Sequence, residues 1–399
     1  MAAQQQQLSA AQMQQLAVQA NMAARQAVVK QSVDMTQQIF TQTYTGGPGT
    51  VINVPVRNVG LIKRFWVEVN AVVTGTSAGP THTLTTLGPS NFFSQFVFTD
   101  LSNQTRIQTP GWHLSMVSSI KRRRPFGAAM TTDSPFGFGN NYTSVISAPA
   151  TITTVVAANN VFAMFEVPLS YTDHDLRGAI YANVVNATMQ LQMTVNPNMF
   201  IASGADATLG MYQSSSATLA TCPTFTVTVF QNYLDQLPIA AGQNGQPGGP
   251  ILPLLDLSTV YLLNNTVVSG LVANQDIPIP YANFRDFMST YLIYDNAGTL
   301  NTGADVAYFA IQSANYTNIL KYDPNLASLL TRLILEDDAP KGSYVFDHRN
   351  KPISTIQYGN MQLVVNAKTV SSSTSSFLIG YEMLALQNMI TQAGSLYGT

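Results

Sequence analysis

A single cysteine, Cys222, stands among 399 residues. No intrachain disulfide and no multi-cysteine metal centre can form from it, and a buried, inert thiol is its expected state. Charge is scarce as well: Lys, Arg, Asp and Glu make up 10% of the chain, against ~25% in an average soluble domain. Eighteen basic and twenty acidic residues leave a net charge of −2, and no Lys or Arg lies between Arg177 and Arg285. A basic surface that tracks phosphates is excluded on these terms, and no direct, sequence-specific contact with nucleic acid is expected. So weakly charged a surface offers little mutual repulsion, which reads as a signal for association. No apolar run reaches membrane-spanning length. Met1 to Gln7 carries neither the basic nor the apolar block of a secretory leader. Synthesis in a cytoplasm, without crossing a bilayer, is therefore expected.

What the chain does contain is patterned. Residues 1–42 hold thirteen Gln, many Ala, and only Arg25, Lys30 and Asp34 as charges. Val18, Met22, Val29 and Val33 recur at helical spacing, so a helix is expected over residues 10–36. Its apolar stripe is thin, and such a helix needs a partner, a neighbouring subunit or a membrane surface to dock on. Gly46-Gly47-Pro48-Gly49 ends the block. Beyond it, Met189, Leu191, Met193 and Val195 alternate with polar residues, as do Phe225, Val227 and Val229 with threonines, the period of half-buried strands. Further runs near Phe65–Val73, Phe93–Phe98, Val161–Val167, Tyr291–Tyr294, Val306–Ile311 and Met361–Val365 give many short strands without long intervening helices. That pattern means a sandwich, barrel or jelly roll. The Gly/Pro-rich stretch Pro238 to Pro250 marks a domain boundary. Across it, Val54-Pro55-Val56 is echoed by Ile277-Pro278-Ile279, each placed ahead of a strand, as a duplicated fold would produce.

Candidates for chemistry are few. Among the four histidines, His174 lies between Asp173 and Asp175, but adjacent residues on a strand point to opposite sides, and a solvated loop is expected there. His348, between Asp347 and Arg349, reads as a polar turn or interface group. No spaced histidine pair completes a metal site. Lys121-Arg122-Arg123-Arg124 is the strong cationic run. It could meet phosphate, lie as an exposed loop, or pair with carboxylates of another subunit such as the Glu336-Asp337-Asp338 run. Asp295, Asn296, Asn301 and Asp305 offer oxygens around two glycines, yet miss the EF-hand spacing, so a turn is expected rather than a calcium site. Neither a phosphate loop nor a nucleophile elbow is present. No cofactor, metal or catalytic residue is assigned.

Several segments in fixed order carry a resemblance. They are the Gln/Ala-rich amino terminus, Gly111-Trp112-His113-Leu114, Thr132-Asp133-Ser134-Pro135, Ala148-Pro149-Ala150-Thr151-Ile152 and Tyr233-Leu234-Asp235-Gln236-Leu237-Pro238. Later come Ile251-Leu252-Pro253-Leu254, Asp256-Leu257-Ser258-Thr259, Lys351-Pro352-Ile353, Gln357-Tyr358-Gly359-Asn360 and Gly380-Tyr381-Glu382. With these the chain resembles the major capsid proteins of tectiviruses, tailless, membrane-containing double-stranded DNA phages. The resemblance implies a mainly β fold of two tandem eight-stranded jelly rolls with an N-terminal helical arm. The expected divisions are 1–44 for the arm, 45–238 for the first roll, 239–250 for the linker, 251–385 for the second roll and 386–399 for a tail. It also implies a homotrimer forming pseudo-hexagonal capsomers in an icosahedral shell assembled in the bacterial cytoplasm. Implied partners are neighbouring capsomers, penton or vertex and minor capsid proteins, and an internal membrane beneath the arm. Arg25, Lys30, Lys121, Arg122, Arg123 and Arg124 are the candidates for membrane or capsomer contact. The runner-up is a two-domain β-sandwich that binds carbohydrate or a receptor, and the third reading is a double jelly-roll hydrolase with a convergent carboxylate or histidine site.

Overall fold

Alternation along the chain sets the architecture. Phe225, Val227 and Val229 are buried while the threonines between them are half-buried on the other face, and Leu191, Met193 and Val195 alternate likewise with Gln190, Gln192 and Thr194. The computed structural model describes residues 10–75, 80–122, 146–148, 151–153, 159–184, 188–202, 210–239, 251, 257–300, 303–313, 316–335 and 342–386. Within them, sixteen strands build two rolls. The first uses β1 (Val33–Thr45), β2 (Val51–Pro55), β3 (Leu61–Thr74), β4 (Phe93–Thr99), β5 (Thr105–Thr109), β6 (Asn159–Pro168), β7 (Gln190–Val195) and β8 (Thr221–Asp235). The second uses β9 (Thr259–Val268), β10 (Asp276–Pro280), β11 (Asp286–Asn296), β12 (Val306–Ser313), β13 (Tyr316–Tyr322), β14 (Ser343–Asp347), β15 (Met361–Ala367) and β16 (Ser376–Leu386).

The duplication is complete at the level of strand order. The first roll packs a sheet ordered β1-β8-β3-β6 on one ordered β2-β7-β4-β5, and the second packs β9-β16-β11-β14 on β10-β15-β12-β13. The two rolls are joined where β5 pairs in parallel with β9, through Ile107 opposite Leu263 and Gln108 opposite Asn264. The proline echo has a structural cause. Pro55 and Pro278 lie in β2 and β10, each at the end of its sheet, where a missing N–H costs no ladder bond. Each roll has its own core. Edge-on pairs such as Phe93 with Phe96 and Phe165 fill the first, and Phe309 with Phe346 and Phe377 the second. Each such ring contributes about 1.5–3 kcal/mol by burial.

The amino-terminal region departs from expectation. Helix α1 runs Ala10–Gln31 and ends short of residue 36, because Val33–Thr45 pairs along its length with β8. Its Thr, Ile, Phe and Tyr content suits a pleated strand better than a helix. The expected arm, 1–44, is therefore a helix followed by the first strand of the first roll. The docked face also differs from the expected stripe. Ala24 and Val28 pack on Leu61, Leu176, Ala179, Leu234 and Ile251, whereas Val18 and Met22 are exposed. Two further helices, α2 (Gly111–Arg122) and α3 (Pro324–Leu335), follow β5 and β13. Residues 240–250 of the linker, the run 336–338 and the tail from 387 lie outside the described residues.

Candidate assembly surfaces

The junction between the rolls is held by one buried carboxylate. Helix α2 leaves β5 and carries Lys121 at its end against β16, where its Nζ lies 2.8 Å from Glu382 Oε1. Tyr261 on β9 and Tyr291 on β11 donate their hydroxyls to the two oxygens of Glu382 at 2.8 and 2.9 Å, so neither oxygen is left bare. Lys121 also donates to the Tyr171 carbonyl at 2.8 Å and to the Tyr261 hydroxyl at 2.9 Å. Burial by itself would raise the Glu382 pKa, but Lys121 and the two hydroxyls hold it below the usual carboxylate range. The same burial lifts both tyrosines well above theirs. Two turns earlier in α2, His113 Nδ1 lies 2.6 Å from Thr109 Oγ1, and its ring meets Tyr291 at 5.0 Å. Burial drives His113 down to about 3, against the opposing charge of Glu382. Gly380 faces that ring, and any Cβ there would overlap it.

Beside this latch lies a second ionic cluster. Arg122 forks onto Glu166, with Nε to Oε2 at 2.9 Å and NH2 to Oε1 at 2.8 Å. Arg64 bonds Glu166 at 2.7 Å and also pairs with Asp173. Both guanidinium groups sit over Trp66, at 5.8 Å for Arg64 and 5.3 Å for Arg122. A cleft of about 240 Å³ opens here, lined by Arg64, Lys121, Arg122, Glu166, Asp173 and His174 among others. These cations are matched to carboxylates of the same chain. Lys121 and Arg122 thus each have a carboxylate partner within the subunit, Glu382 and Glu166; Arg123 and Arg124 lie outside the described residues.

The arm places its two cations differently. Arg25 reaches Asp175 at 3.3 Å, and Asp175 is also forked by Arg177 at 2.6–3.1 Å. Arg25 thus ties the helix to the first roll. Lys30 is exposed, as are Met13, Leu16, Val18 and Met22 on the same helix. No helix among the described residues is long and apolar enough to cross a membrane.

The remaining candidates resolve into local structure. His174 is exposed, with Asp173 and Asp175 turned to separate arginine partners. His348 is half-buried and pushed down to about 4 by desolvation, with Asp347 opposing, and Asp347 itself pairs with Arg349 at 2.6 Å. Asp295 accepts the Gly298 amide, and Asn296 accepts from Ser371 and Ser375, so residues 295–300 make a hairpin turn; Asn301 lies outside the described residues. Cys222 is buried and its thiol is raised to about 12. Among the described residues, no three His, Cys, Asp or Glu side chains are grouped so as to hold a metal ion. The sequence reading missed Glu382, Glu166 and Tyr261. It also missed α3, whose start is written in Asp323-Pro324: the Asp323 carboxylate accepts the amides of Asn325 and Leu326 at 2.9 and 3.0 Å.

Comparison with known proteins agrees with this architecture. A profile described as P3 major capsid protein N-terminal matches residues 2–237, and one described as P3 major capsid protein C-terminal matches residues 258–397. Major capsid protein P3 of Enterobacteria phage PRD1 is 40% identical over 387 residues, spanning 96% of each chain. Among solved structures, the STIV MCP superposes with a TM-score of 0.63 at 11% identity, covering 90% of this chain and 98% of that one. A structure of the PBCV-1 virus capsid gives 0.54 at 10% identity, covering 90% and 96%. At such identities the structural likeness speaks for the fold alone, and that fold is the double jelly roll of viral major capsid proteins.

Proposed function

The chain belongs to the P3 major capsid protein family, and from that premise we propose that it tiles a virion shell as a homotrimer, without catalytic duty, over an internal membrane. The observation that carries the trimer is the duplication. Two rolls with identical strand order give a threefold particle six similar lobes, a near-hexagonal tile that can meet six neighbours. Each contact in such a lattice can be weak, because a capsomer held on several sides binds multivalently. The low charge of the chain suits surfaces meant to approach their own copies. Neighbouring capsomers, vertex and minor capsid proteins are the partners this reading calls for, with assembly in the host cytoplasm.

The arm supplies the inward contact in this reading. Its second half is tied to the roll through Ala24, Val28 and Arg25, while Met13, Leu16 and Val18 of its first half and Met22 just beyond are exposed, with Lys30 available to phosphate headgroups. Light scattering behind a sizing column tests the trimer: the expected native mass is three chains of 43.1 kDa, and a monodisperse single chain refutes it. Removing residues 1–31, which leaves β1 whole, is expected to preserve that mass while abolishing co-flotation with anionic vesicles; unchanged flotation refutes the membrane role.

A further inference from the structure

The junction inside one chain is a template for a junction between chains. In the first roll β5 leads into α2, and in the second β13 leads into α3. Ile107 pairs with Phe98 on β4, and Leu320 with Ile311 on β12. The first helical turns bond back to Pro110 and to Asp323, from Leu114 and Ala327 respectively. Strand pairing and helix start thus give one and the same alignment, which sets His113, Met116 and Ile120 of α2 against Leu326, Leu329 and Leu333 of α3. Their environments are opposite. Met116 and Ile120 are 2% and 3% exposed, whereas Leu329 and Leu333 are 53% and 65% exposed. Leucines at this spacing form one stripe along a helix, and a contiguous apolar stripe on a surface marks a contact site.

What covers α2 is the outer face of β9-β16-β11-β14. The matching face of the first roll, β1-β8-β3-β6, can be read residue by residue, because the two sheets share a bulge. Arg64 pairs with Asn232 and Ile62 with Tyr233, skipping Lys63; Ser289 pairs with Glu382 and Phe287 with Met383, skipping Met288. Tyr291 and Gly380, which cover His113, therefore correspond to Trp66 and Phe230. Leu263, opposite Glu382, corresponds to Thr36, opposite Asn232. The parallel pair of β5 with β9 then has its counterpart in Leu320 and Lys321 of β13 against Thr36 and Gln37 of β1. Both strands end their sheets among the described residues. β1 is a thirteen-residue edge with neither proline nor lysine to blunt it, a form that invites pairing.

The geometry points to a head-to-tail contact between copies: the α3 leucine stripe and the β13 edge of one subunit dock on the outer face of β1-β8-β3-β6 in the next, with β13 adding in parallel to β1. The occupant is a second copy of this chain, and the contact rests on the trimer proposed above. It is heterologous and closes into a ring when three copies complete it. The buried ion pair is not repeated, since Lys121 and Glu382 correspond to Ile334 and Asn232.

The test uses the full chain in two variants. Leu329→Lys with Leu333→Lys alters side chains exposed on a single subunit, so circular dichroism and melting of that subunit are expected to stay native while native mass falls threefold. A doubly substituted protein that keeps the full trimer mass overturns this contact and leaves the trimer standing. A wild-type monomer overturns the trimer reading and this contact together. In the second variant, Gln37→Cys with Lys321→Cys, a short bismaleimide is expected to give covalent dimers and trimers on a denaturing gel, absent from either single substitution because Cys222 is buried. Native-mass trimers that yield no covalent ladder overturn the strand pairing.

Discussion

The outer faces of the two leading sheets share a fold and differ in chemistry. In the second roll, Leu263, Tyr291, Ile293, Leu378 and Leu384 on that face are buried in the core of the first. In the first roll, the matching positions include Thr36, Trp66, Glu68 and Thr228, which are exposed or half-buried. The first of these faces is covered by a partner in the same chain, which is always present, so an apolar surface there carries no risk. The other must stay soluble while a lone subunit exists. Threonine serves that need: it favours a pleated strand and keeps a hydroxyl for a neighbour.

The comparison breaks most severely at Glu382. E382A leaves the half-buried Lys121 without its carboxylate and should cost about 3–5 kcal/mol, read as a lower urea midpoint for the second roll. Replacing both partners with apolar residues, as in K121M with E382M, should recover most of that loss. A full-cost double variant would show that the latch is worth more than its packing. Next comes Gly380, where G380A pushes a methyl into the His113 ring; an overpacked core loses about 1–3 kcal/mol, whereas the matching position, Phe230, tolerates bulk. A melt unchanged by G380A would contradict the close approach.

Acid should act on the same side of the molecule. His113 and His348 stay neutral when folded down to about 3 and about 4, below their ordinary 6.5. Between those limits the unfolded chain binds the extra protons, so stability is complete above about 6.5 and is lost as pH falls. The slope approaches about 1.4 kcal/mol per pH unit for each histidine, and H113N should remove one histidine's share when denaturation is followed from pH 7 to 5. The smallest effect belongs to the threonine face. Thr226 meets Thr43 through their hydroxyls at 2.8 Å, and T226A should cost only about 0.2–1 kcal/mol in the thermal midpoint of the first roll.

Much of this was legible. Alternation at 189–195 and 224–229 was enough to identify strands, and two edge prolines were enough to suggest duplication, because both signals are local. The end of α1 was not legible: residues 33–45 become a strand by pairing with β8, which no local propensity reveals. Helix α2 was hidden by being buried on nearly every side, which erases the amphipathic period. Lys121 and Arg122 read as a surface run because their partners are remote, Tyr261 standing 140 residues away and Glu166 44. A charge run in sequence reports proximity to its neighbours and is silent about carboxylates brought up by the fold.

The pairing of β1 with β8 imposes a schedule on synthesis. Asp34 accepts from Asn232, 198 residues later, and at ~5–20 residues per second roughly 10–40 s separate their emergence from a ribosome. Through that interval β1 has no strand to join. The helix before it must wait longer still, since Ala24 and Val28 rest partly on Leu234 and Ile251. The helix and β1, translated ahead of the rest of the first roll, are thus its last pieces to be seated, and the ones most exposed to chaperones or to premature encounters with other nascent chains.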